Sequence, residues 1–180
     1  MNKVCKYLIL FVAFLYLNNC STMNLEDYKN NNPKLVLENF FSGKTVARGV
    51  FEDRFGNIKK YFKVDIIGTW DGKTLILEEN FIYNDGSKEF RKWTINKDIK
   101  KLNHYSGFAD GVIGLANGST SGNAFNWKYK FKLKVGNKFY KVDFDDWMFL
   151  QEENYLINIA QVKKFGITLG KVILFFEKIS

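Results

Sequence analysis

Residues 128–135 read KYKFKLKV, a stretch in which every second residue is a lysine and the residues between are Tyr, Phe, Leu and Val. Side chains of a β-strand point alternately to its two faces, so this order places all the lysines on one face and all the apolar side chains on the other. A strand with one solvent-exposed face and one apolar face is typical of an antiparallel sheet that covers a core on one side. This alternation constrains the fold more than any other feature of the chain.

The same period of two extends from Thr45 onward and is interrupted by short turn signals, such as Asp-Gly pairs, that favour hairpins. The breaks lie at residues 55–57, 71–72, 85–86, 97–103, 110–111, 117–123, 136–137, 151–154 and 166. No helical segment is long enough to cover a parallel sheet. We therefore predict an all-β fold, an antiparallel up-and-down barrel of the lipocalin type with about 8–10 strands and a short N-terminal helix. Tight turns at both ends disfavour a transmembrane barrel, in which one set of loops is long.

The first 19 residues have the pattern of a signal peptide, with two lysines before an uncharged apolar run from Tyr7 to Leu17. This run is shorter than the roughly 20 residues that a membrane-spanning helix needs. Leu17-Asn18-Asn19-Cys20 resembles the bacterial lipobox, although Asn18 and Asn19 replace the usual small residues and Asn19 fits the cleavage position less well. Cleavage by the ordinary signal peptidase, or no cleavage, is the alternative. We expect residues 1–19 to be removed and Cys20 to be acylated.

An acylated Cys20 attaches the protein to membrane lipid. Each buried methylene contributes about 0.8 kcal/mol, so a diacylglycerol together with an amide-linked chain such as palmitate anchors a protein that one chain would not. Ser21, in place of an Asp after the cysteine, predicts sorting to the outer membrane on the side that faces the periplasm. Because Cys5 is the only other cysteine, the folded domain is expected to have no disulfide and no cysteine metal site.

Residues 20–42 are predicted to form a lipidated tether that ends in a short helix. Asn32 is a suitable N-cap, Pro33 fits the first helical position, and Gly43 can end the segment. Four large apolar residues within this segment need an apolar partner, so we expect it to plug or flank the barrel. They are Leu35, Leu37, Phe40 and Phe41. The barrel domain is assigned to residues 43–180.

The charge pattern argues against a nucleic-acid partner. The chain has 27 basic and 19 acidic residues, a net charge of +8, but only three of the basic residues are arginines. Nucleic-acid recognition relies on arginine for bidentate contacts, and no basic stripe of helical spacing is present. The lysine excess predicts a solvated face, with weak attraction to anionic lipid headgroups as the functional alternative.

No motif for catalysis, metal binding or cofactor binding is recognised in the sequence. His104 is the single histidine, and HExxH, CxxC and GxSxG do not occur. The glycine-rich stretch 107–123 lacks the GK[ST] of a phosphate-binding loop, so its glycines predict strand curvature instead. Adjacent acids such as Glu78 and Glu79 point to opposite faces of a strand and are poor candidates for paired acid–base work. We predict no enzymatic activity, no metal site and no cofactor.

Residues 141–150, KVDFDDWMFL, place one carboxylate on an otherwise apolar face. Alternation puts Asp146 among inward-facing apolar residues, whereas Asp143 and Asp145 face solvent. A buried carboxylate must be paired, hydrogen-bonded or neutralised, and Arg48, Tyr129, Trp127 or a backbone amide are the candidate partners. Asp146 is then either a satisfied structural acid or a polar group that orients a ligand in an apolar cavity. The candidate cavity residues are Arg48, Trp127, Tyr129, Phe131, Phe144, Asp146 and Met148.

Several segments together resemble a bacterial lipoprotein family labelled domain of unknown function 3833. They are FFSGK (40–44), DIIGTWDGKTLILEENFIYNDG (65–86), GNAFNWKY (122–129), FDDWMFL (144–150) and LINIAQVKKFGITLGKVILFFEK (156–178). The resemblance implies a lipid-anchored envelope protein with a lipocalin-like barrel. It implies no activity, because none is assigned to the family.

The sequence thus predicts a membrane-anchored protein of the cell envelope whose barrel binds a hydrophobic or amphiphilic small molecule. The alternative is a structural or interaction protein whose barrel is filled by its own side chains. The two hypotheses differ in the barrel interior, which is hollow in the first and packed in the second. The ligand and any protein partner cannot be named from the sequence.

Overall fold

The computed structural model describes residues 23–180, which contain a 3-10 turn, one short α-helix and ten β-strands. The predicted signal peptide and the predicted lipid-attachment residue Cys20 lie outside the described residues. The strands are β1 (Gly43–Asp53), β2 (Ile58–Trp70), β3 (Thr74–Tyr83), β4 (Lys88–Lys97), β5 (His104–Ala109), β6 (Val112–Ser121), β7 (Ala124–Val135), β8 (Lys138–Glu152), β9 (Tyr155–Lys164) and β10 (Ile167–Lys178).

The strands form a closed antiparallel barrel in which each strand pairs with its neighbour in sequence. β1 closes the ring by pairing with β10 over residues 45–53 and 170–178. The predicted up-and-down barrel is therefore confirmed. Closure leaves no strand edge of the sheet unpaired, which removes the usual template for aggregation.

The hairpin turns lie where the turn signals predicted them, with one difference. The predicted break at 117–123 is shorter than expected, because β6 continues to Ser121 and the turn contains only two residues. The register of β6 against β7 shifts between Ile113 and Asn117, and Gly114 within this bulge has a φ of +77°. That conformation is open to glycine and unfavourable for most other residues, so this glycine bends the strand.

One end of the barrel is packed and the other is open. Along β7 the inward-facing Phe125 and Trp127 are buried, whereas Tyr129 and Phe131, further along the same face, are partly exposed. The inward faces of β2 and β4 show the same gradient, with exposure rising toward the hairpins at residues 54–57 and 84–87. Since these side chains lie inside the wall, solvent reaches them through the mouth at this end.

The opposite end is closed by the helix α1 (Leu37–Phe41). Leu37, Phe40 and Phe41 are buried in the core, and a Cβ at Gly68 of β2 would clash with the carbonyl of Phe41. The predicted plug lies at this end, but the predicted helix start is wrong. Val36 is the N-cap and makes no side-chain capping bond, so the helix begins four residues after Pro33.

The position of α1 follows from burial rather than from local capping. The backbone N–H of Leu35 donates to the carbonyl of Gly122, which ties the non-helical stretch before α1 to the turn between β6 and β7. Asn32 and Pro33 lie in this non-helical stretch, and a separate 3-10 turn at Leu25–Tyr28 begins after Asn24. Tertiary packing of the apolar side chains therefore overrides the local helix signals.

Polar contacts attach α1 to the barrel. Glu38 is buried and hydrogen-bonded to Lys97, and the Tyr105 hydroxyl donates to its other oxygen at 2.9 Å. Burial alone would raise the pKa of Glu38, but the bonds from Lys97 and Tyr105 outweigh it and lower the pKa. The Nζ of Lys178 donates to the carbonyl of Phe40 at 3.0 Å. This bond gives a partner to a carbonyl in the last turn of α1.

Candidate functional site

The open half of the barrel interior, called the cup below, combines aromatic walls with a small set of ionisable groups. Each of its side chains occupies an inward position of its strand, given by the alternation that buries its neighbours two residues away. The cup residues are Phe62 of β2, Glu79, Phe81 and Tyr83 of β3, Glu89 and Arg91 of β4, Tyr129 and Phe131 of β7, and Phe144 and Asp146 of β8.

Asp146 lies at the base of the cup and is only 7% exposed. The Tyr129 hydroxyl donates to Oδ2 at 3.2 Å, while Oδ1 is buried without a hydrogen-bond partner. Burial raises the pKa of Asp146 to about 7, against the lowering effect of the Tyr129 bond. The carboxyl therefore changes charge near neutral pH, and one of its oxygens is free to accept or share a proton with another molecule.

Glu79 is the second carboxyl whose pKa burial raises to about 7. The positive charge of Arg91 opposes this shift, but it does not cancel it. Arg91 itself pairs with Glu89, with Nη2 2.7 Å from Oε1, and the Tyr83 hydroxyl donates to the other Glu89 oxygen at 2.9 Å. The guanidinium of Arg91 thus acts electrostatically on the carboxyls of Glu79, Glu89 and Asp146. Only Glu89 forms a close ion pair with it.

Aromatic rings line the walls around these groups. Tyr129 stacks on Phe144 with centroids 5.0 Å apart, and Phe131 meets Phe144 edge-on at 5.8 Å. Below them Trp93 contacts Tyr129 at 5.3 Å. These stacked and edge-on contacts are geometries that aromatic pairs prefer, so the rings support one another in the wall of the cup.

Arg91 is held between two of these rings. Its guanidinium carbon lies 4.9 Å from the centroid of Phe81 and 5.2 Å from that of Phe131. These contacts stabilise the cation inside the barrel and fix its position. Chemically, the cup offers apolar faces, one placed cation and two carboxyls that are largely neutral at slightly acidic pH. Apolar walls with a few placed polar groups are typical of the lining of small-molecule sites.

Six of the seven predicted cavity residues lie on the inner side of the barrel. Trp127 and Asp146 are buried, and Tyr129, Phe131, Phe144 and Met148 are partly buried on the inward face. Asp143 and Asp145 face outward and pair with Lys130 and Lys128, as the alternation predicted.

Arg48 does not belong to the interior. Its side chain is 62% exposed and pairs with Glu177 of β10 at 3.7 Å on the outer wall. The neighbouring positions of β1 explain this placement, because the buried Ala47 faces the interior and Arg48 must then face outward. The arginine that acts on Asp146 is Arg91.

Sequence reasoning missed Glu79, Arg91, Tyr83 and Glu89, although the signal was present. In β3 the sequence LILEENFIY places Glu79 in series with the apolar Leu75, Leu77 and Phe81. The test that singled out Asp146, one acid on an apolar face, applies equally to Glu79. Treating Glu78 and Glu79 only as a pair of adjacent acids concealed it.

Two concavities lie outside the cup. A groove of about 660 Å³ crosses the outer wall and is lined by Tyr61, Ile82 and Phe175 among others. A second, of about 370 Å³, contains His104 beside Asp98 and Ser119. Within residues 23–180, no three His, Cys, Asp or Glu side chains are placed to bind a metal ion together. No helix in that range is long and apolar enough to cross a bilayer.

Comparison with known proteins supports the family and the fold. The family described as "Protein of unknown function (DUF3833)" matches residues 14–178, which confirms the resemblance. The structure of the S-type phycobiliprotein lyase CPES from Guillardia theta superposes with a TM-score of 0.61 at 7% sequence identity, over 88% of this chain and 99% of that chain. No curated protein sequence matches the chain. At this identity the structural likeness establishes a shared barrel fold and nothing about activity.

Proposed function

Because the chain belongs to the DUF3833 family, whose function is unknown, we propose its function from the geometry of the cup: the barrel binds a hydrophobic or amphiphilic small molecule. The apolar body of the ligand lies against Phe131, Phe144 and Trp93, and its polar end meets Asp146 and Arg91. A structural neighbour that is a lyase with the same fold is compatible with a barrel that holds a small molecule. We do not extend the lyase activity to this chain, and the absence of enzymatic activity stays a prediction.

The buried and unpartnered Oδ1 of Asp146 is the observation that supports this proposal most. Leaving a buried polar atom without a hydrogen bond costs about 1–3 kcal/mol. A structural acid would have both oxygens satisfied by the protein, as Glu38 has at the closed end. At Asp146 the second partner is left to the ligand, which we expect to donate a hydrogen bond there.

The test uses N-phenyl-1-naphthylamine, an apolar fluorophore with one N–H donor. Titration of the full chain is expected to give saturable fluorescence enhancement, with energy transfer from Trp93 and Trp127 at the base of the cup. Asp146→Asn keeps an acceptor for Tyr129 but alters the oxygen offered to the ligand, and is expected to weaken binding about tenfold. Unchanged affinity in this variant would remove the proposed role of Asp146.

Asp143→Asn is the matched control, since Asp143 lies on the same strand and faces the outer wall toward Lys130, away from Asp146. It removes the same charge from the same strand and is expected to leave the affinity unchanged. Equal loss in both variants would indicate an indirect effect on β8 rather than contact with the probe.

We also propose that Cys20 bears the predicted lipid and anchors the protein to the outer membrane, facing the periplasm. The LNNC sequence at residues 17–20 and the apolar run before it support this. Mass spectrometry of the protein extracted from membranes tests both proposals, because it measures the mass added at Cys20 and any lipid that co-purifies. An N-terminus other than Cys20, or Cys20→Ser protein that stays in the membrane fraction, would contradict the anchor.

A scaffold whose barrel is filled by its own side chains remains the competing function. The closed half supports it, because Phe125, Trp127 and Leu156 pack there with almost no exposure. This function predicts that the fluorophore binds neither the wild type nor the Asp143→Asn protein.

A further inference from the structure

The hairpins that form the rim of the open end differ in the side chains that they expose. Five hairpins surround the mouth, and three that are consecutive around the barrel connect β1 to β2, β9 to β10, and β7 to β8. We call residues 54–60, 134–141 and 163–168 the rim arc. It exposes large apolar side chains at its tips: Phe55 is 74% and Phe165 is 89% exposed. Val135, Phe139 and Ile167 are also exposed.

The turns of the other two hairpins at the same end contain no apolar residue. Their turns are Asn-Asp-Gly-Ser at residues 84–87 and Asp-Gly at residues 110–111. Both turns are polar and acidic, as expected for tips that face water. The apolar tips of the rim arc are therefore a local property of three hairpins and not a general property of this mouth.

The loop that presents Phe55 is rigid. Oδ1 of Asp53 accepts hydrogen bonds from the backbone N–H groups of Phe55 at 2.9 Å and of Asn57 at 3.0 Å. The N–H of Arg54 donates to the carbonyl of Leu169 at 3.0 Å, which ties this hairpin to the β9–β10 hairpin. These bonds fix the backbone around Phe55, whose side chain is largely exposed to solvent.

Phe165 occupies an unfavourable backbone conformation. Its φ is +51°, and it is the only non-glycine residue within residues 23–180 with a positive φ. Bulky side chains rarely adopt this conformation, which glycine or asparagine would take at lower cost. The two-residue turn between β9 and β10 requires this positive φ at Phe165 as it does at Gly166. A bulky and nearly fully exposed phenylalanine at such a position points to a role of the side chain at the surface.

The rim arc is also strongly basic. Residues 54–60, 134–141 and 163–168 contain three, three and two basic residues and no acidic one. Within the described chain, the one ion pair made by these residues joins Lys59 to Asp53. Several cations lie instead against rings, as Arg54 does over Phe55 at 4.7 Å and Lys164 over Phe165 at 5.3 Å. Exposed aromatic tips surrounded by unpaired lysines match the composition of surfaces that enter an anionic membrane interface.

We propose that the rim arc binds the surface of an anionic lipid bilayer, with Phe55 and Phe165 entering the interface and the surrounding lysines contacting lipid phosphates. The two hairpins tied together by the Arg54–Leu169 bond act as one unit, so both rings enter side by side. This inference requires neither a ligand in the cup nor a lipid on Cys20, and its failure would leave both of those proposals intact.

Hydrogen–deuterium exchange of the full chain tests the proposal. The chain is mixed with vesicles of phosphatidylethanolamine and phosphatidylglycerol at 3:1, or with neutral phosphatidylcholine vesicles. Exchange at residues 54–57 and 164–167 is expected to slow several-fold with the anionic vesicles only, while residues 84–87 and 110–111 stay unchanged. Because the readout is local, attachment through residues 1–22 does not by itself slow exchange at residues 54–57 and 164–167 while leaving residues 84–87 and 110–111 unchanged.

Two double variants complete the test. F55S/F165S is expected to bind the anionic vesicles at least tenfold more weakly in sedimentation than the wild type, after subtraction of binding to neutral vesicles. F90S/F108S is the control, because Phe90 and Phe108 are also about half exposed but lie on the outer wall of β4 and β5. Equal binding by F55S/F165S and wild type, or protection at residues 84–87 as strong as at 54–57, would overturn the proposal. Protection of the rim arc without vesicles that rises with protein concentration would indicate self-association and would also overturn it.

Discussion

The two ends of this barrel use the same kinds of residue for opposite purposes. At the closed end a buried carboxylate, Glu38, is bonded to both Lys97 and Tyr105 and fixes α1 across the opening. At the base of the cup a buried carboxylate, Asp146, has one bond to Tyr129 and one oxygen without a partner. At Glu38 both carboxylate oxygens have partners within the protein, whereas at Asp146 one oxygen has no partner within it.

The pKa values follow the same division. Hydrogen bonds lower the pKa of Glu38 despite its burial, whereas burial raises the pKa of Asp146 to about 7. The first carboxylate has partners for both oxygens, and the second changes charge close to neutral pH. An unsatisfied ionisable group in a solvent-open aromatic cup is more typical of a binding site than of a core.

Alanine substitutions on β7 give the largest expected contrast between the ends. Phe125→Ala, in the closed half, is expected to lower the free energy of unfolding by about 3–5 kcal/mol, because it leaves a cavity in a packed core. Phe131→Ala, six residues along the same inward face, is expected to cost about 1 kcal/mol, because solvent already reaches its ring. Denaturant unfolding measures both, and equal losses would contradict the division of the interior.

Removal of the Glu38 carboxylate is the next largest effect. Glu38→Ala leaves Lys97 and Tyr105 without their partner and is expected to cost about 3 kcal/mol. Glu78→Ala is the control, because Glu78 pairs with Lys92 at 3.1 Å on the exposed outer wall and is expected to change stability by less than about 0.5 kcal/mol. A small effect at Glu38 in thermal and denaturant unfolding would show that α1 is held by its apolar side chains alone.

The pH dependence of stability distinguishes the two carboxyls. A raised folded-state pKa, as at Asp146, gives stability that is present below the unfolded pKa and is lost as pH rises through the folded value. The contribution of Asp146 should therefore fall between about pH 4 and pH 7. Asp146→Asn is expected to flatten part of this decline, because Glu79, whose pKa burial also raises to about 7, contributes with the same sign.

Glu38 has the opposite sign, since its pKa is lowered by folding. Its contribution is present above the unfolded pKa and is lost as pH falls through the folded value. Unfolding curves of Asp146→Asn and Glu38→Gln, measured from pH 3 to pH 8, should therefore depart from the wild type at opposite ends of the range. Parallel curves for both variants would show that neither assignment is right.

Arg48→Ala is expected to have the smallest effect. The Arg48–Glu177 pair is exposed on the outer wall, and such pairs contribute about 0–1 kcal/mol. Neither stability nor fluorophore affinity should change measurably, whereas Arg91→Ala should lower the affinity. A loss of affinity in Arg48→Ala would place that arginine in the site after all.

The sequence was sufficient for the barrel because its main signal is local. Alternation fixes which side chains share a face, and it placed Asp146, Tyr129 and Phe144 correctly on the inward side. It does not say which of the two faces is inward when a strand is mixed, and this is why Arg48 was misplaced. In β1 the outward face has two valines, and the inward face has the small Ala47 and Gly49.

The position of the plug and the cup network depended on long-range contacts. The start of α1 is set by the fit of Leu37 and Phe41 into the barrel end, which local capping signals at Asn32 cannot report. Which acids meet Arg91 depends on the register between β3 and β4, which pairs Glu79 with Arg91. Register follows from turn geometry across the whole sheet and is not contained in either strand alone.

The segment Leu25–Tyr28 lies against β6 and β7, and the chain then enters the barrel at its closed end. From Cys20 to Leu25 a fully extended backbone spans about 17 Å, whereas strands of this length in a tilted barrel stand about 30 Å tall. A protein anchored at Cys20 would thus stand upright on that leaflet, with its mouth facing away from it. In this orientation the mouth contacts a different surface. An apolar ligand would then cross the aqueous space between the leaflet and that surface inside the barrel.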